Sequence, residues 1–164
     1  MDAIDRKILA HLQDEGRLTV TELARRLPLS VSRCQRRLRD LESAGVLRGY
    51  HADVDPASVG WEFMAIVFVT MRQEDRQTVA HFEAAVADVP QVVSAQRLFG
   101  DPDYLLRVVA ADLAAYQRLY DEQLAELPGV QRLTSTLVMK DVVRDRGVPL
   151  SLASGVSWRR SDVN

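Results

Sequence analysis

The 164-residue sequence is poor in the residues that build disulfide bonds and metal sites. Cys34 is its one cysteine, so an intrachain disulfide and a zinc site built on thiolates are both excluded. The three histidines, His11, His51 and His81, do not have the spacing of metal ligands, and we expect no metal site. The longest apolar run, residues 63–69, is far shorter than the roughly 18 residues of a membrane span. The N-terminus also lacks the features of a secretory signal, so we expect a cytoplasmic protein.

Charge is distributed unevenly along a chain whose net charge is only −2. Residues 1–50 carry ten Lys and Arg against seven Asp and Glu, whereas residues 51–143 carry seven against fourteen. Residues 25–48 alone hold seven arginines against Asp40 and Glu42. A basic segment in a mildly acidic protein is either a solvated helix face or a surface for an acidic partner such as nucleic acid.

Three short helices are predicted in the first 50 residues from their start and stop signals. Asp2 is a suitable cap for a first helix. Thr19 and Glu22 have the spacing of a capping box, which opens a second helix of two turns. After a short turn, Ser30 caps a third helix that Gly45 ends. Two helices joined by so short a turn are typical of a helix-turn-helix motif.

The third predicted helix has an apolar face and an opposite basic face. Four side chains at helical spacing form the apolar stripe and make its cysteine a core residue rather than a reactive thiol: Val31, Cys34, Leu38 and Leu41. The opposite direction holds serine and arginine, which suits the major groove because arginine binds phosphate or guanine and serine can bind either. We therefore predict DNA contacts from this helix and the segment after it: Ser30, Ser32, Arg33, Arg36, Arg37, Arg39 and Arg48.

Residues 46–52 alternate apolar and polar side chains around a glycine, and this pattern predicts a small hairpin or strand-like wing. Residues 1–52 are thus predicted as a winged helix-turn-helix domain, followed by a linker at residues 53–61. A three-helix unit with a wing can also serve only as a protein-interaction module. The distribution of arginine favours DNA.

The hydrophobic period changes at residue 63, where a second domain begins. Strands are predicted at residues 63–71, 92–98, 104–109 and 130–142, with one helix after the first strand and one, capped by Asp112, after the third. The order βαββαβ predicts an α+β, ferredoxin-like domain over residues 62–150. We expect residues 151–164 to form a flexible tail, to which no role is assigned.

The first strand of this domain is apolar on both faces. Two helices in a βαββαβ domain cover one face of the sheet and leave the other uncovered. An apolar uncovered face needs a partner, and the same sheet of another subunit is the simplest candidate. We predict a homodimer.

Four stretches in this order resemble the Lrp/AsnC, or feast/famine, family of transcription regulators. They are residues 4–9 (IDRKIL), 38–50 (LRDLESAGVLRGY), 100–107 (GDPDYLLR) and 127–130 (LPGV). The resemblance covers about residues 2–150. It implies a winged helix-turn-helix joined to a βαββαβ effector domain of the RAM or ACT-like type, dimers that often assemble into octamers, and amino acids as effectors.

The resemblance also implies an effector site between dimers. By position, the residues concerned lie in the turn before the third strand and in the last strand: Phe99, Gly100, Asp101, Asp103, Tyr104, Gln131, Thr134, Ser135 and Thr136. Asp101 or Asp103 would pair with an ammonium group, and backbone N–H groups around Gly100 would bind a carboxylate. Phe99 and Leu133, where many members have hydroxyl residues, favour an effector with an apolar side chain.

Two other functions are compatible with this organisation. An enzyme is one, because small βαββαβ domains can support catalysis, but the sequence has no phosphate-binding glycine loop, nucleophile elbow or histidine beside a plausible nucleophile. A metabolite sensor that acts through protein partners rather than DNA is the other. Steep salt dependence would distinguish DNA binding from it. We predict a DNA-binding regulator with no catalytic residues.

Overall fold

The computed structural model describes residues 1–73, 75–144 and 146–150. The chain divides into two compact units: Met1–Asp53 together with the described residues from Val143 on, here the N-terminal unit, and Val54–Val142, here the sheet unit. Residues 143–150, predicted as the end of the second domain, are thus grouped with the first. The predicted tail at residues 151–164 lies outside the described residues. In the described ranges no helix has the length and apolar character to cross a membrane.

The N-terminal unit contains three helices: α1 (Ala3–Asp14), α2 (Val20–Arg26) and α3 (Val31–Ser43). Each helix is capped by the predicted residue, whose side-chain oxygen accepts from a backbone N–H of the first turn: Asp2, Thr19 and Ser30. Four residues separate α2 from α3, so the predicted helix-turn-helix is confirmed.

The core of the N-terminal unit is formed by side chains from all three helices: Ile8, Leu9, Leu12, Leu23, Ala24, Leu27, Cys34 and Leu41. Burial raises the pKa of the Cys34 thiol, which agrees with a packing role. The prediction that Val31 belongs to the buried stripe is wrong, because this side chain is 46% exposed. It is the first residue of α3 and lies about 60° around the helix from Cys34.

The predicted winged helix-turn-helix fold is confirmed, but residues 46–52, all of them described, contain no regular strand. The N–H groups of Val46 and Leu47 both donate to the carbonyl oxygen of Leu41, at 3.0 and 3.1 Å. These bonds fold the segment back onto the end of α3 and leave it without the regular pairing that a hairpin requires.

Residues 146–150 form an extended strap against the N-terminal unit. The side-chain amide of Gln13 donates to the carbonyl oxygen of Val148 at 3.2 Å. Leu150 packs, partly buried, against the core of the unit. Gly147 lies so close to Gln13 that an added Cβ would be 2.6 Å from its Oε1. The strap therefore adds apolar contact to a small helical core.

The sheet unit begins with a 3-10 turn, Ala57–Val59, and then shows the predicted βαββαβ order. Its elements are β1 (Phe63–Met71), α4 (Arg76–Ala87), β2 (Val92–Arg97), β3 (Tyr104–Ala110), α5 (Leu113–Leu119, continued by a π-turn at Tyr120–Leu124) and β4 (Val130–Leu137). The strands form one antiparallel sheet in the order β2-β3-β1-β4. β4 ends at Leu137, earlier than the predicted residue 142, although the N–H of Val138 still donates to the carbonyl oxygen of Met64 at 3.0 Å.

Helices α4 and α5 cover one face of the sheet but not the other. Alternate residues of β1 and β3 face α4 and α5 and are buried with residues such as Phe82 and Leu124. The opposite face, here the open face, carries half-buried Met64, Ile66 and Phe68 on β1. Arg107 on β3 crosses it and donates through Nε to the sulfur of Met64 at 3.4 Å. β1 is thus apolar on both sides, as the sequence predicts.

Candidate DNA-binding surface and effector cleft

A basic surface lies along the side of α3 that faces away from the core. Ser32, Arg33, Arg36 and Arg39 are all exposed. Within the described residues no ion pair engages these three arginines. Their guanidinium groups are therefore available to phosphate or to the base edges of a duplex.

The first turn of α3 presents two hydroxyl groups. Ser30 Oγ accepts from the N–H of Arg33 at 3.4 Å and lies 3.3 Å from Ser32 Oγ. The capping role of Ser30 occupies part of its hydrogen-bonding capacity, whereas Ser32 is exposed on the basic side of the helix. Of the two, Ser32 is better placed to contact a partner.

Arg37, predicted as a DNA contact, is bound to α1 instead. Its NH1 atom lies 2.7 Å from carboxylate oxygens of both Asp2 and Asp5. The hydrogen bonds to Asp5 and Asp2 raise the pKa of the Arg37 guanidinium. The pKa of Asp2 is lowered first by the hydrogen bond from the backbone N–H of Asp5 and second by the one from Arg37. Unlike Arg33, Arg36 and Arg39, Arg37 could contact DNA only by giving up these two ion pairs.

Arg48 is exposed in the segment that follows α3. Two residues later, the hydroxyl of Tyr50 donates to Glu42 at 3.0 Å, which ties the segment to the helix. Partial burial and this carboxylate raise the pKa of Tyr50 from 10 to about 12, which extends the pH range over which its hydroxyl can donate to Glu42. The segment can therefore present Arg48 without being a strand.

Two exposed residues of α3 were missed by the sequence prediction, namely Val31 and Gln35. Val31 was missed because it was assigned to the apolar stripe, and Gln35 was missed because it carries no charge. The i, i+4 spacing of the two side chains is the signal that identifies them as neighbours on one flank of the helix.

A cleft of about 680 Å³ in the sheet unit lies between the end of β1 and the turn that precedes β3. Ten residues line it: Thr70, Met71, Val79, Arg97, Leu98, Phe99, Gly100, Asp101, Asp103 and Tyr104. The turn is closed by the N–H of Leu98, which donates to the carbonyl oxygen of Asp103 at 2.7 Å. Gly100 has φ +124°, a conformation that favours glycine.

Asp103 fixes this turn to β1. Its N–H donates to the carbonyl oxygen of Val69 at 2.9 Å, and its Oδ2 accepts from the N–H of Met71 at 2.6 Å. The strand register shifts between Thr70 and Met71, so this carboxylate satisfies an N–H at an irregular position. Of the two aspartates predicted to pair with an ammonium group, Asp103 thus has one carboxylate oxygen already engaged in the fold.

Some of the neighbouring side chains are buried in the core, and others are exposed to solvent. Tyr104 is buried, and its hydroxyl donates to Glu83 at 3.0 Å. Burial and Glu83 raise the pKa of Tyr104 to about 12. By contrast, the carboxylate of Asp101 is 76% exposed, 3.9 Å from Arg132, and the ring of Phe99 is fully exposed. Asp101 and Phe99 are the accessible members of the predicted set.

The structure does not bring the predicted β4 residues into this cleft. Ser135 faces the helices and accepts from the hydroxyl of Tyr116 at 2.5 Å. Leu133 packs against the core on that same side. Thr134 and Thr136 alternate with them and lie on the open face opposite Phe68 and Ile66 of β1. Gln131 is exposed near the start of β4 and does not line the cleft.

The fold and its two candidate sites define a regulator that joins a DNA-binding helical unit to a ligand-binding sheet unit. Residues 1–48 match the family described as winged helix-turn-helix DNA-binding, and residues 64–148 match the Lrp/AsnC ligand binding domain. The chain belongs to the Lrp/AsnC family of transcription regulators.

Similar proteins span nearly the whole chain. The Bkd operon transcriptional regulator of Pseudomonas aeruginosa is 38% identical over 150 residues, covering 92% of this chain and 98% of its own. A leucine-responsive regulatory protein of Rhizobium meliloti is 38% identical over 142 residues, covering 87% and 91%. A transcriptional regulator of Neisseria meningitidis, solved in complex with L-Met, has a TM-score of 0.86 at 38% identity and covers 92% and 97%.

Proposed function

We propose that this regulator binds a two-fold symmetric operator by placing α3 in the major groove, with Ser32, Arg33 and Arg36 of its N-terminal half toward the bases and Arg39 and Arg48 toward the phosphates. The observation that carries the proposal is the exposed basic side of α3, whose arginines have no acidic partner in the described part of the chain. A dimer presents two such helices, which accounts for the symmetry.

Fragments selected from genomic DNA by the wild-type protein provide the operator for the test. We expect Arg36→Ala to weaken operator binding by about tenfold, because a base or phosphate contact of arginine contributes on the order of 1–3 kcal/mol. Arg118→Ala, which removes an exposed arginine of the sheet unit, is the matched control. Binding that stays within twofold of wild type in Arg36→Ala would rule out the assigned face.

Salt dependence separates DNA binding from action through a protein partner. Each phosphate that is neutralised releases counterions, so the logarithm of the affinity falls linearly with the logarithm of the salt concentration. We expect a steep slope for wild type and a slope lower by about 1 for Arg48→Ala, if Arg48 contacts a phosphate. A flat dependence would favour a protein partner.

We further propose that a free amino acid with an apolar side chain is the effector and that it binds at the cleft beside the 98–103 turn. The names of two relatives support an amino acid, since one was solved with L-Met and another is leucine-responsive. In this cleft Asp101 would pair with the ammonium group, and Arg97 and the N–H groups around Gly100 would bind the carboxylate. Phe99 would cover the side chain.

Calorimetry with the twenty amino acids tests this assignment. Asp101→Asn should weaken the binding of an active amino acid by about tenfold, because a charge-assisted hydrogen bond contributes roughly 1.5–3 kcal/mol. Asp121→Asn, an exposed carboxylate elsewhere in the sheet unit, should change nothing. An effector that alters operator affinity tenfold must also supply about 1.4 kcal/mol of coupling. No heat from any amino acid, or equal affinity in Asp101→Asn, would contradict the site.

The open face supports a homodimer, and we propose that such dimers assemble further into octamers, as the family resemblance implies. Apolar residues such as Ile66 and Phe68 lie half-buried on this face, which no helix of their own unit covers in the described residues. Phe68→Glu should therefore convert the protein to monomers, whereas Val59→Glu, at an exposed position, should not. Light scattering measures both, and a wild-type monomer at micromolar concentration would exclude the dimer.

A further inference from the structure

Val31 and Gln35 form an uncharged flank beside the basic side of α3. Val31 is 46% exposed at the first helical position, and Gln35 is exposed one turn later. The remaining apolar residues of α3, which the structure describes throughout, are buried or half-buried against the core. An exposed valine at the N-terminal end of a helix that enters the major groove can contact the edges of the bases, whereas an exposed valine elsewhere cannot.

The chemistry of this pair matches an A·T base pair. In the major groove, adenine presents the N7 acceptor and the N6 donor, and thymine presents its C5-methyl group. A glutamine amide can bond both adenine atoms, and a valine side chain can exclude water from the methyl group. Arginine and serine on the neighbouring side of α3 suit guanine and phosphate instead.

The spacing allows both contacts at once. Side chains at i and i+4 have Cβ atoms roughly 5–6 Å apart. Successive base pairs rise by about 3.4 Å, so the two residues reach the same pair or neighbouring pairs. The N-terminal half of a recognition helix is also the part that contacts base edges.

We propose that Val31 and Gln35 are specificity determinants that read A·T pairs in each half-site, Gln35 through adenine and Val31 through the thymine methyl group. The proposal rests on the proposed function of α3 as the recognition helix and names the bases that this flank selects.

Operators in which single thymines are replaced by deoxyuridine test the role of Val31. The replacement removes only the methyl group of the thymine. In each half-site we expect one thymine whose replacement weakens wild-type binding by about fourfold, because one buried methyl-sized group is lost. Val31→Ala should bind both operators nearly equally. Val46→Ala is the control, because Val46 is equally exposed at 47% but lies outside α3, and it should keep the wild-type sensitivity.

Repeated selection with Gln35→Ala tests the second contact. We expect the preference for adenine at one position of each half-site to disappear while the guanine positions are retained. Replacement of that adenine by 7-deazaadenine should weaken wild type and leave Gln35→Ala unchanged.

The outcomes separate this inference from the function on which it rests. If wild type binds its operator through Arg36 but is insensitive to every deoxyuridine, or if Gln35→Ala selects the same bases as wild type, the inference is overturned and the recognition helix stands. If wild type selects no operator, both are overturned. Both side chains are exposed, so unchanged circular dichroism is expected for each variant.

Discussion

The N-terminal unit and the sheet unit use their charged side chains differently. In the N-terminal unit, acidic residues are tied to helix caps and to ion pairs, such as Asp2 with Arg37, while the arginines of the α3 surface stay unpaired within the described residues. In the sheet unit, acidic residues hold turns, as Asp103 does at the end of β1. The surface proposed to bind DNA therefore lies on one periodic helix face, whereas the cleft proposed to bind the effector depends on strand register.

The cores of the two units differ as well. Among the described residues the sheet unit has 15 buried core side chains, from Ala65 to Leu127, and the N-terminal unit has eight, from Ile8 to Leu41. Because burial of apolar surface is the main stabilising contribution, we expect the N-terminal unit to be the less stable of the two and to depend more on peripheral contacts.

The largest predicted effect is in the core of the sheet unit. Phe82 is fully buried and its ring centroid lies 4.5 Å from that of Tyr104. Phe82→Ala should lower the free energy of unfolding of this unit by about 3–5 kcal/mol in urea denaturation. Leu113→Ala, at a position that is 66% exposed, is the control. A loss below about 1 kcal/mol would mean that this core is not the main source of stability.

Local signals made much of this fold predictable. The caps of α1, α2 and α3 depend on residues three positions apart, and β1 has the predicted bounds because the apolar run at residues 63–69 makes up most of the strand. The exposed arginines Arg33, Arg36 and Arg39 follow from helical periodicity alone. The sequence therefore predicted those features of the basic surface that depend only on the periodicity of α3.

Several contacts of the predicted site residues involve partners distant in sequence, and no local pattern indicates them. Arg37 lies on α3, but its acidic partners are 32 and 35 residues earlier. Asp103 accepts a hydrogen bond from Met71, 32 residues away, across a register shift that no local pattern indicates. The side of the sheet on which Ser135 lies depends on the pairing of β4 with β1, which periodicity leaves undetermined.

An effect of intermediate size is expected in the strap at residues 146–150, because the strap adds apolar contact to the smaller core of the N-terminal unit. Leu150→Ala should destabilise the N-terminal unit by about 1 kcal/mol, less than a fully buried leucine because the side chain is only partly buried. Hydrogen exchange of the α1 amides should accelerate accordingly, while that of the β1 amides stays unchanged. Equal exchange in α1 of wild type and variant would show that the strap contributes nothing to this unit.

The smallest predicted effect concerns Arg37 and is confined to one range of pH. The pKa of Asp2 is lowered below its ordinary value of 3.8, first by the backbone N–H of Asp5 and then by Arg37. A carboxylate with a lowered pKa in the folded state stabilises the fold above the pKa of the unfolded chain, and this contribution is lost as pH falls through the folded value.

Arg37→Gln should therefore lower the thermal midpoint of the N-terminal unit at pH 7 by less than Leu150→Ala does, because Asp2 is 52% exposed and water screens its attraction to Arg37. The difference from wild type should shrink as pH falls from about 4 through the lowered pKa of Asp2, where the folded protein loses this charge. Part of the acid sensitivity should remain in the variant, since the cap bond from Asp5 does not require Arg37. Arg39→Gln, which removes an arginine without an acidic partner among the described residues, should leave the midpoint unchanged at both pH values. A difference that is constant from pH 7 to pH 3 would show that Arg37 stabilises the unit by packing and not through the charge of Asp2.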